Sequence, residues 1–150
     1  MAAYCDTNFL LRLYGDLPDS DEVQRLLAKQ SEPVPITWLH QVELPNALQL
    51  MVLLARTGNS SQMTPENALL GLTRFEDELA AGDSLTLSPL PVHELVRQAR
   101  ELSLRHTAKH GFRTYDVLHV ACALMLECDR FWSFDIRANK LAEIEGLKTL

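Results

Sequence analysis

No hydrophobic run in this chain is long enough to cross a bilayer. The longest, Leu44 to Ala55, is interrupted by Pro45, Asn46 and Gln49 and falls short of the roughly 20 apolar residues a spanning helix needs. It reads as a buried helix, and no membrane partner is expected. Cysteine is scarce and odd in number: Cys5, Cys122 and Cys128 cannot close a disulfide framework. Cys5 and Cys122 lie in apolar patterns where a thiol packs as a small hydrophobe, so a reducing cytoplasm fits best. Asp6, Asn8 and Arg12 within the first apolar stretch break the order of a secretion signal. Positive charge is also in deficit. A formal net charge of −6 excludes a protein that coats nucleic acid by bulk attraction, though not an enzyme that acts on it. No repeat or low-complexity tract occurs.

What the chain does have is one domain's worth of core. With 150 residues and 47 % hydrophobic content, a single domain over 1–150 is expected. Met1 to Cys5 reads as a buried strand feeding a helix through Phe9, Leu10, Leu11, Leu13 and Tyr14. Asp19 can cap a second helix, with Glu22 completing the capping box. Pro33 to Ile36 reads as a short strand, after which Thr37 starts a helix that ends at Gly58; Pro45 bends that helix or marks its true first turn. Thr64-Pro65-Glu66 opens a helix running to Gly82, and Ser84 to Ser88 alternates as a half-buried strand does. Pro91 opens a helix ending near Gly111, and Thr114 caps the next. Arg130 to Phe134 is an aromatic-rich strand, Asp135 begins a last helix to Gly146, and Leu147 to Leu150 can add an edge strand. Strands alternating with helices of this length predict crossover units and a parallel sheet covered on both faces.

Four acids stand where strands or loops turn into helices: Asp6, Glu43, Asp116 and Asp135. Asp6 and Asp135 directly follow apolar strands, so a parallel sheet delivers both to its ligand-binding edge. Asp116 falls in a first helical turn, where the dipole favours an ionised carboxylate, and Glu43 precedes the helix body that starts at Leu44. Carboxylates gathered at one spot repel unless a cation sits between them, which points to Mg²⁺ or Mn²⁺. Such an ion acidifies water and screens a phosphodiester, making metal-dependent hydrolysis the leading chemistry. Asn8 can hydrogen-bond a scissile phosphate or orient Asp6, and Ser133, on the same strand face as Asp135, can support the ligands from behind. Arg105, His106, Lys109, His110 and Arg113 form a local basic run that can meet a phosphate backbone. A solvated helix end whose charges complement the macrodipole explains the same run equally well.

Taken together, Asp6-Thr7-Asn8, Glu43 with Leu44 and Asn46-Ala47, Tyr115-Asp116-Val117-Leu118-His119-Val120-Ala121 with Ala123, and Phe131 to Asp135 resemble the PIN-domain family, in particular its VapC-type toxin ribonucleases. The resemblance spans nearly the whole chain. It implies a three-layer α/β/α fold with a central, mostly parallel sheet of four to five strands. It implies a single-strand endoribonuclease that uses Mg²⁺ or Mn²⁺ and leaves a 5′-phosphate and a 3′-hydroxyl. Asp6, Asp116 and Asp135 would be the principal metal ligands, with Glu43 holding a second metal or its water. Asn8, Ser133 and Arg113 would support the ligands or meet the RNA substrate. Homodimers and a cognate antitoxin whose peptide blocks the site are further implied, as the toxin half of a type II pair.

Competing readings are a non-catalytic interaction module of the same fold and an aspartyl-phosphate phosphohydrolase with Asp6 as nucleophile. The second is weakened by Asn8, which stands where that chemistry places another acid. The spacings His40-x-x-Glu43 and Asp116-x-x-His119 are similar to di-iron ligand pairs, but those need four long helices and the alternating strands argue against them. His119 is expected to pack or hydrogen-bond near Asp116, Asp129 to belong to a turn, and Trp38 and Trp132 to be core residues rather than base-stacking platforms.

Overall fold

A computed structural model describes residues 2–150 of the chain, so Met1, the first residue of the expected opening strand, lies outside it. The elements run β1 (Ala3–Cys5), α1 (Thr7–Tyr14), α2 (Ser20–Leu27), β2 (Val34–Ile36), α3 (Trp38–Arg56), α4 (Pro65–Ala81), β3 (Leu85–Leu87), α5 (Val92–His110), α6 (Thr114–Met125), β4 (Arg130–Trp132) and α7 (Ile136–Ile144). Punctuation residues set many of these bounds. Thr64 accepts from the Asn67 N–H at the start of α4, and Gly82 and Gly111 end α4 and α5 in the left-handed conformation that glycine adopts without a Cβ penalty.

Both strand pairs are parallel. β1 pairs with β4, with Ala3 opposite Arg130 and Cys5 opposite Trp132; β2 pairs with β3, with Val34 opposite Leu85. Alternation along β1 divides the core into two. Ala3 and Cys5 join Phe9, Leu10, Val23, Leu44, Leu48, Phe75 and Trp132 on the side of α1 to α4. Tyr4 joins Leu95, Leu102, Val120, Phe131 and Leu141 on the side of α5 to α7, stacking on Phe131 with 5.8 Å between ring centroids. Helices therefore cover both faces of the strands, the three-layer α/β/α arrangement that consecutive side chains pointing to opposite faces produce.

The central sheet is less continuous than expected. β1 and β2 pack side by side, yet the strands form two separate two-stranded ladders rather than one sheet of four to five. Pro35, in the middle of β2, has no N–H to donate, and the Cys5 carbonyl is met by His40 Nε2 at 2.8 Å. Leu147 to Leu150 contributes only a bridge between Lys148 and Arg130, not an edge strand.

Local starts differ from expectation at three places. Asp19 precedes α2 without capping it through its side chain and faces Arg12 at 3.5 Å instead. Arg113, not Thr114, is the N-cap residue of α6. Helix α3 begins at Trp38 and continues through Pro45, so Glu43 lies inside the helix rather than ahead of it, and Pro45 does not mark the first turn. Burial of Leu39, Leu44, Leu48 and Val52 offsets the backbone bond that Pro45 forfeits.

The three cysteines are buried and free, and among the described residues no helix is long and apolar enough to cross a membrane. Trp132 is core, whereas Trp38 is 39 % exposed.

One close approach fixes how α4 sits on α1. A Cβ added at Gly71 would stand 2.1 Å from the Tyr14 carbonyl oxygen, a backbone atom that cannot rotate away. Gly71→Ala is expected to lower the unfolding free energy by about 2 kcal/mol, measured by urea denaturation; unchanged stability would show that the helix can shift at no cost.

Candidate active site

Parallel strands end at the same edge, and that edge carries the acids. The Asp6 N–H donates to the Trp132 carbonyl at 3.1 Å, extending the β1–β4 register into the loops that follow. Asp6 caps α1, its Oδ1 accepting from the Phe9 N–H at 2.9 Å. Asp135 caps α7, its Oδ1 accepting from Arg137 N–H at 2.8 Å and Ala138 N–H at 3.4 Å. Ser133 ties the two together: its hydroxyl donates to Asp6 Oδ2 at 2.6 Å and accepts from the Asp135 N–H at 2.8 Å.

The third acid arrives from α6. Asp116 Oδ2 accepts from the Arg113 backbone N–H at 3.0 Å and from its Nε at 3.1 Å, and Oδ1 accepts from Nη2 at 3.0 Å. The same Nη2 also donates to Asp135 Oδ2. One oxygen of Asp116 and one of Asp135 are thus held by backbone N–H groups, and the other two face the Arg113 guanidinium.

Glu43 reaches the cleft from α3 and has different partners. Thr7 Oγ1 donates to Glu43 Oε2 at 2.7 Å, and His119 Nε2 donates to the same oxygen. On its far side, His119 Nδ1 lies 2.8 Å from the buried Tyr4 hydroxyl. His119 therefore serves Glu43, not Asp116 as expected.

A cleft of about 270 Å³ is lined by Asp6, Thr7, Asn8, Glu43, Arg113, Tyr115, Asp116, His119 and Asp135. All four acids named from the sequence line it, as do Asn8 and Arg113; Ser133 is buried behind it. The basic run is dispersed. Arg105 and His106 both engage Glu145, the residue that ends α7, and Arg113 engages the acids. Thr7, His119 and Tyr4 were not among the expected site residues. Thr7, adjacent to Asp6 at the helix start, carried a usable positional signal, whereas Tyr4 and His119 are 115 residues apart.

Electrostatics separates the acids. Burial raises the pKa of Asp6, outweighing the nearby His119 and the hydrogen bonds from Ser133 and Phe9. Burial also works against ionised Glu43, but bonds and charge from His119, with the Thr7 hydroxyl, hold it below the usual range. In Asp135 a smaller burial effect is overcome by the Arg137 N–H and then by Arg113, and its pKa falls. The Arg113 guanidinium is held charged chiefly by its bonds to Asp116.

Among the described residues, no three His, Cys, Asp or Glu side chains converge closely enough to hold a metal ion as they stand. The donor set is nevertheless all oxygen, as hard divalent cations require. The two oxygens facing Arg113 already accept a cationic partner, and Asn8 Oδ1 is buried in the structure without a hydrogen-bond partner. The residues fit Mg²⁺ or Mn²⁺ provided Arg113 moves aside.

The PIN domain family model matches residues 3–144. No curated protein matches the chain by sequence. Among solved structures, the fold is similar to VapBC2 from Rickettsia felis bound to a DNA fragment from their promoter. That match has a TM-score of 0.66 and 18 % identity, covering 100 % of this chain and 98 % of that one. It is also similar to the sarcin–ricin-loop-cleaving toxin VapC20 of Mycobacterium tuberculosis, with a TM-score of 0.61 and 16 % identity over 93 % of this chain and 94 % of that one.

Behind the cleft, His40 is fully buried. Its Nε2–H donates to the Cys5 carbonyl and Nδ1 accepts from the Thr37 N–H at 3.0 Å; the second bond requires the neutral ring, because a protonated Nδ1 cannot accept. Burial, aided by His119, lowers its pKa from the ordinary 6.5 to about 3. The folded state thus binds fewer protons than the unfolded one between these values. The stability His40 contributes is fully present above about pH 6.5 and is lost as the pH falls toward about 3. Long-range ¹H–¹⁵N spectra should show an unchanging Nε2–H tautomer from about pH 8 to about pH 5; a titration near 6.5 would refute the assignment.

Proposed function

The chain belongs to the PIN domain family, and from that premise we propose that it is a metal-dependent endoribonuclease acting on single-stranded RNA, the toxin of a toxin–antitoxin pair. The observation that carries the proposal is the meeting of Asp6, Glu43, Asp116 and Asp135 in one cleft from positions spread over the chain. These fold neighbours support the toxin reading by analogy, since one is a sarcin–ricin-loop-cleaving toxin and the other is VapBC2 bound to a DNA fragment from their promoter. A cognate antitoxin, a homodimer and a cytoplasmic setting belong to the same proposal, as does a single catalytic domain over 1–150.

Asp6, Asp116 and Asp135 would hold Mg²⁺ or Mn²⁺, with Glu43 holding a second metal or its water. When bound, the ion supplies charge neutralisation at the phosphodiester and a more acidic water. The chain's own residues set the geometry. Backbone caps pin one oxygen each of Asp6, Asp116 and Asp135, so these carboxylates are oriented before any ligand arrives. Ser133 aligns Asp6 Oδ2. Thr7 and His119 keep Glu43 ionised and turned into the cleft, where it can accept a proton from the attacking water. Asn8 and the exposed Tyr115 complete the lining that would meet RNA.

Purified free of any partner and supplied with Mn²⁺, the protein is expected to cleave single-stranded RNA. Asp6→Asn, Asp116→Asn and Asp135→Asn should each lower the rate at least about 100-fold, a few kcal/mol of transition-state stabilisation. Ser133→Ala should cost about 10- to 100-fold in metal affinity or activity. Equal cleavage by Asp6→Asn would show that the activity is not this protein's. Absence of saturable Mn²⁺ binding that depends on Asp116 would favour the non-catalytic module.

A further inference from the structure

The guanidinium of Arg113 occupies the space between Asp116 and Asp135, and the way the three are held makes that contact exchangeable. Asp116 and Asp135 are each fixed by backbone N–H groups through one oxygen, Oδ2 and Oδ1 respectively. Their remaining oxygens, Asp116 Oδ1 and Asp135 Oδ2, depend on Arg113 Nη2, while Arg113 Nε shares Asp116 Oδ2 with the backbone N–H. If the guanidinium leaves, both carboxylates keep their orientation and present two free oxygens to the cleft.

Arg113 is also built to leave. Its side chain is 56 % exposed, whereas that of Asp116 is 6 % exposed. Its backbone stays fixed by the buried Phe112 beside it and by its own N–H on Asp116, so only the side chain has to swing.

We propose that Arg113 and a divalent cation compete for the same two carboxylate oxygens, so that metal binding ejects the guanidinium and frees it to take a phosphate of the RNA. The proposal rests on the metal-dependent nuclease reading above. A compact divalent ion neutralises two carboxylates more fully than one delocalised charge does, and hard oxygen ligands favour it. The released planar fork can meet a phosphate bidentately. Arg113 and Tyr115 both line the cleft and are exposed, so a phosphate can reach the fork there. Because the coupling is reciprocal, RNA that captures Arg113 also raises the affinity for metal. Without metal, the site is held closed by its own cation and Arg113 has no phosphate to bind.

The test is Mn²⁺ titration calorimetry on the full-length wild type, Arg113→Gln, Arg113→Lys and Asp135→Asn. It is paired with the salt dependence of binding to a short 2′-O-methylated single-stranded RNA, which resists cleavage. Arg113→Gln should bind Mn²⁺ tighter, by roughly 5- to 150-fold, and Asp135→Asn should bind it weakly. With Mn²⁺ present, the slope of log affinity against log salt should fall by about one in Arg113→Gln; without Mn²⁺, wild type and variant should share one slope. Mn²⁺ binding that needs Asp135 but is unchanged or weaker in Arg113→Gln would overturn the competition while leaving the metal-site reading intact. No saturable Mn²⁺ binding in any variant would overturn that reading and the competition with it. Should Arg113→Gln fail to fold, Arg113→Lys decides: its single ammonium lacks the separate Nε that the guanidinium places on Asp116 Oδ2, so tighter Mn²⁺ binding is expected and unchanged affinity overturns the proposal.

Discussion

Everything at the cleft depends on the parallel pairing of β1 with β4. The two strands are only three residues each, yet residues 1 to 5 and 130 to 135 come from opposite ends of the chain, and no local interaction could bring their acids together. Burial on both faces specifies the register: a slip of one residue would send Tyr4 into the α1 side and Cys5 into the α5 side of the core. Once Cys5 lies opposite Trp132, Asp6 and Ser133 are forced into hydrogen-bonding range and Asp135 follows two residues on.

Gathering negative charge in a partly dry cleft has a cost that the protein meets separately for each acid. Asp6 has a hydroxyl and a backbone amide, Glu43 has a threonine and an imidazole, and Asp116 and Asp135 share one guanidinium. Unpaired buried charges would otherwise neutralise by taking up protons, and the raised pKa of Asp6 shows that tendency. The other side of the arrangement is rigidity. Thr7 and His119 reach Glu43, and Arg113 reaches Asp135, from other elements, so the helices α1, α3, α6 and α7 are tied to one another through the carboxylates.

Much of this was legible in the sequence because it is encoded locally. Thr64-Pro65, Gly82 and Gly111 mark helix ends by backbone chemistry that needs no tertiary context, and apolar strands that stop at Asp6 and before Asp135 announce the sheet edge. What escaped is long-range or competitive. The link from Tyr4 through His119 to Glu43 joins residues whose proximity follows only from helix packing. Thr114 has the better capping side chain, but Arg113 takes the cap position because its guanidinium is anchored on Asp116. The division of the sheet turns on His40 outcompeting a strand for the Cys5 carbonyl, a contest that alternation patterns do not describe. Glu43 lies within a helix that runs through a proline, since burial of one face prevails over the lost backbone bond.

Two of the cleft's aspartates, Asp6 and Asp135, are also N-caps, and that double duty constrains how the chain can evolve. Replacement of either by an apolar residue would fray α1 or α7 as well as empty the cleft, so selection against unfolding protects the acids even in a lineage where selection for chemistry has lapsed. Asn, Ser and Thr cap comparably. A descendant that has given up catalysis while keeping this fold should therefore carry those residues at positions 6 and 135, and a surviving aspartate there is weaker testimony to activity than the acid at position 43, which caps nothing.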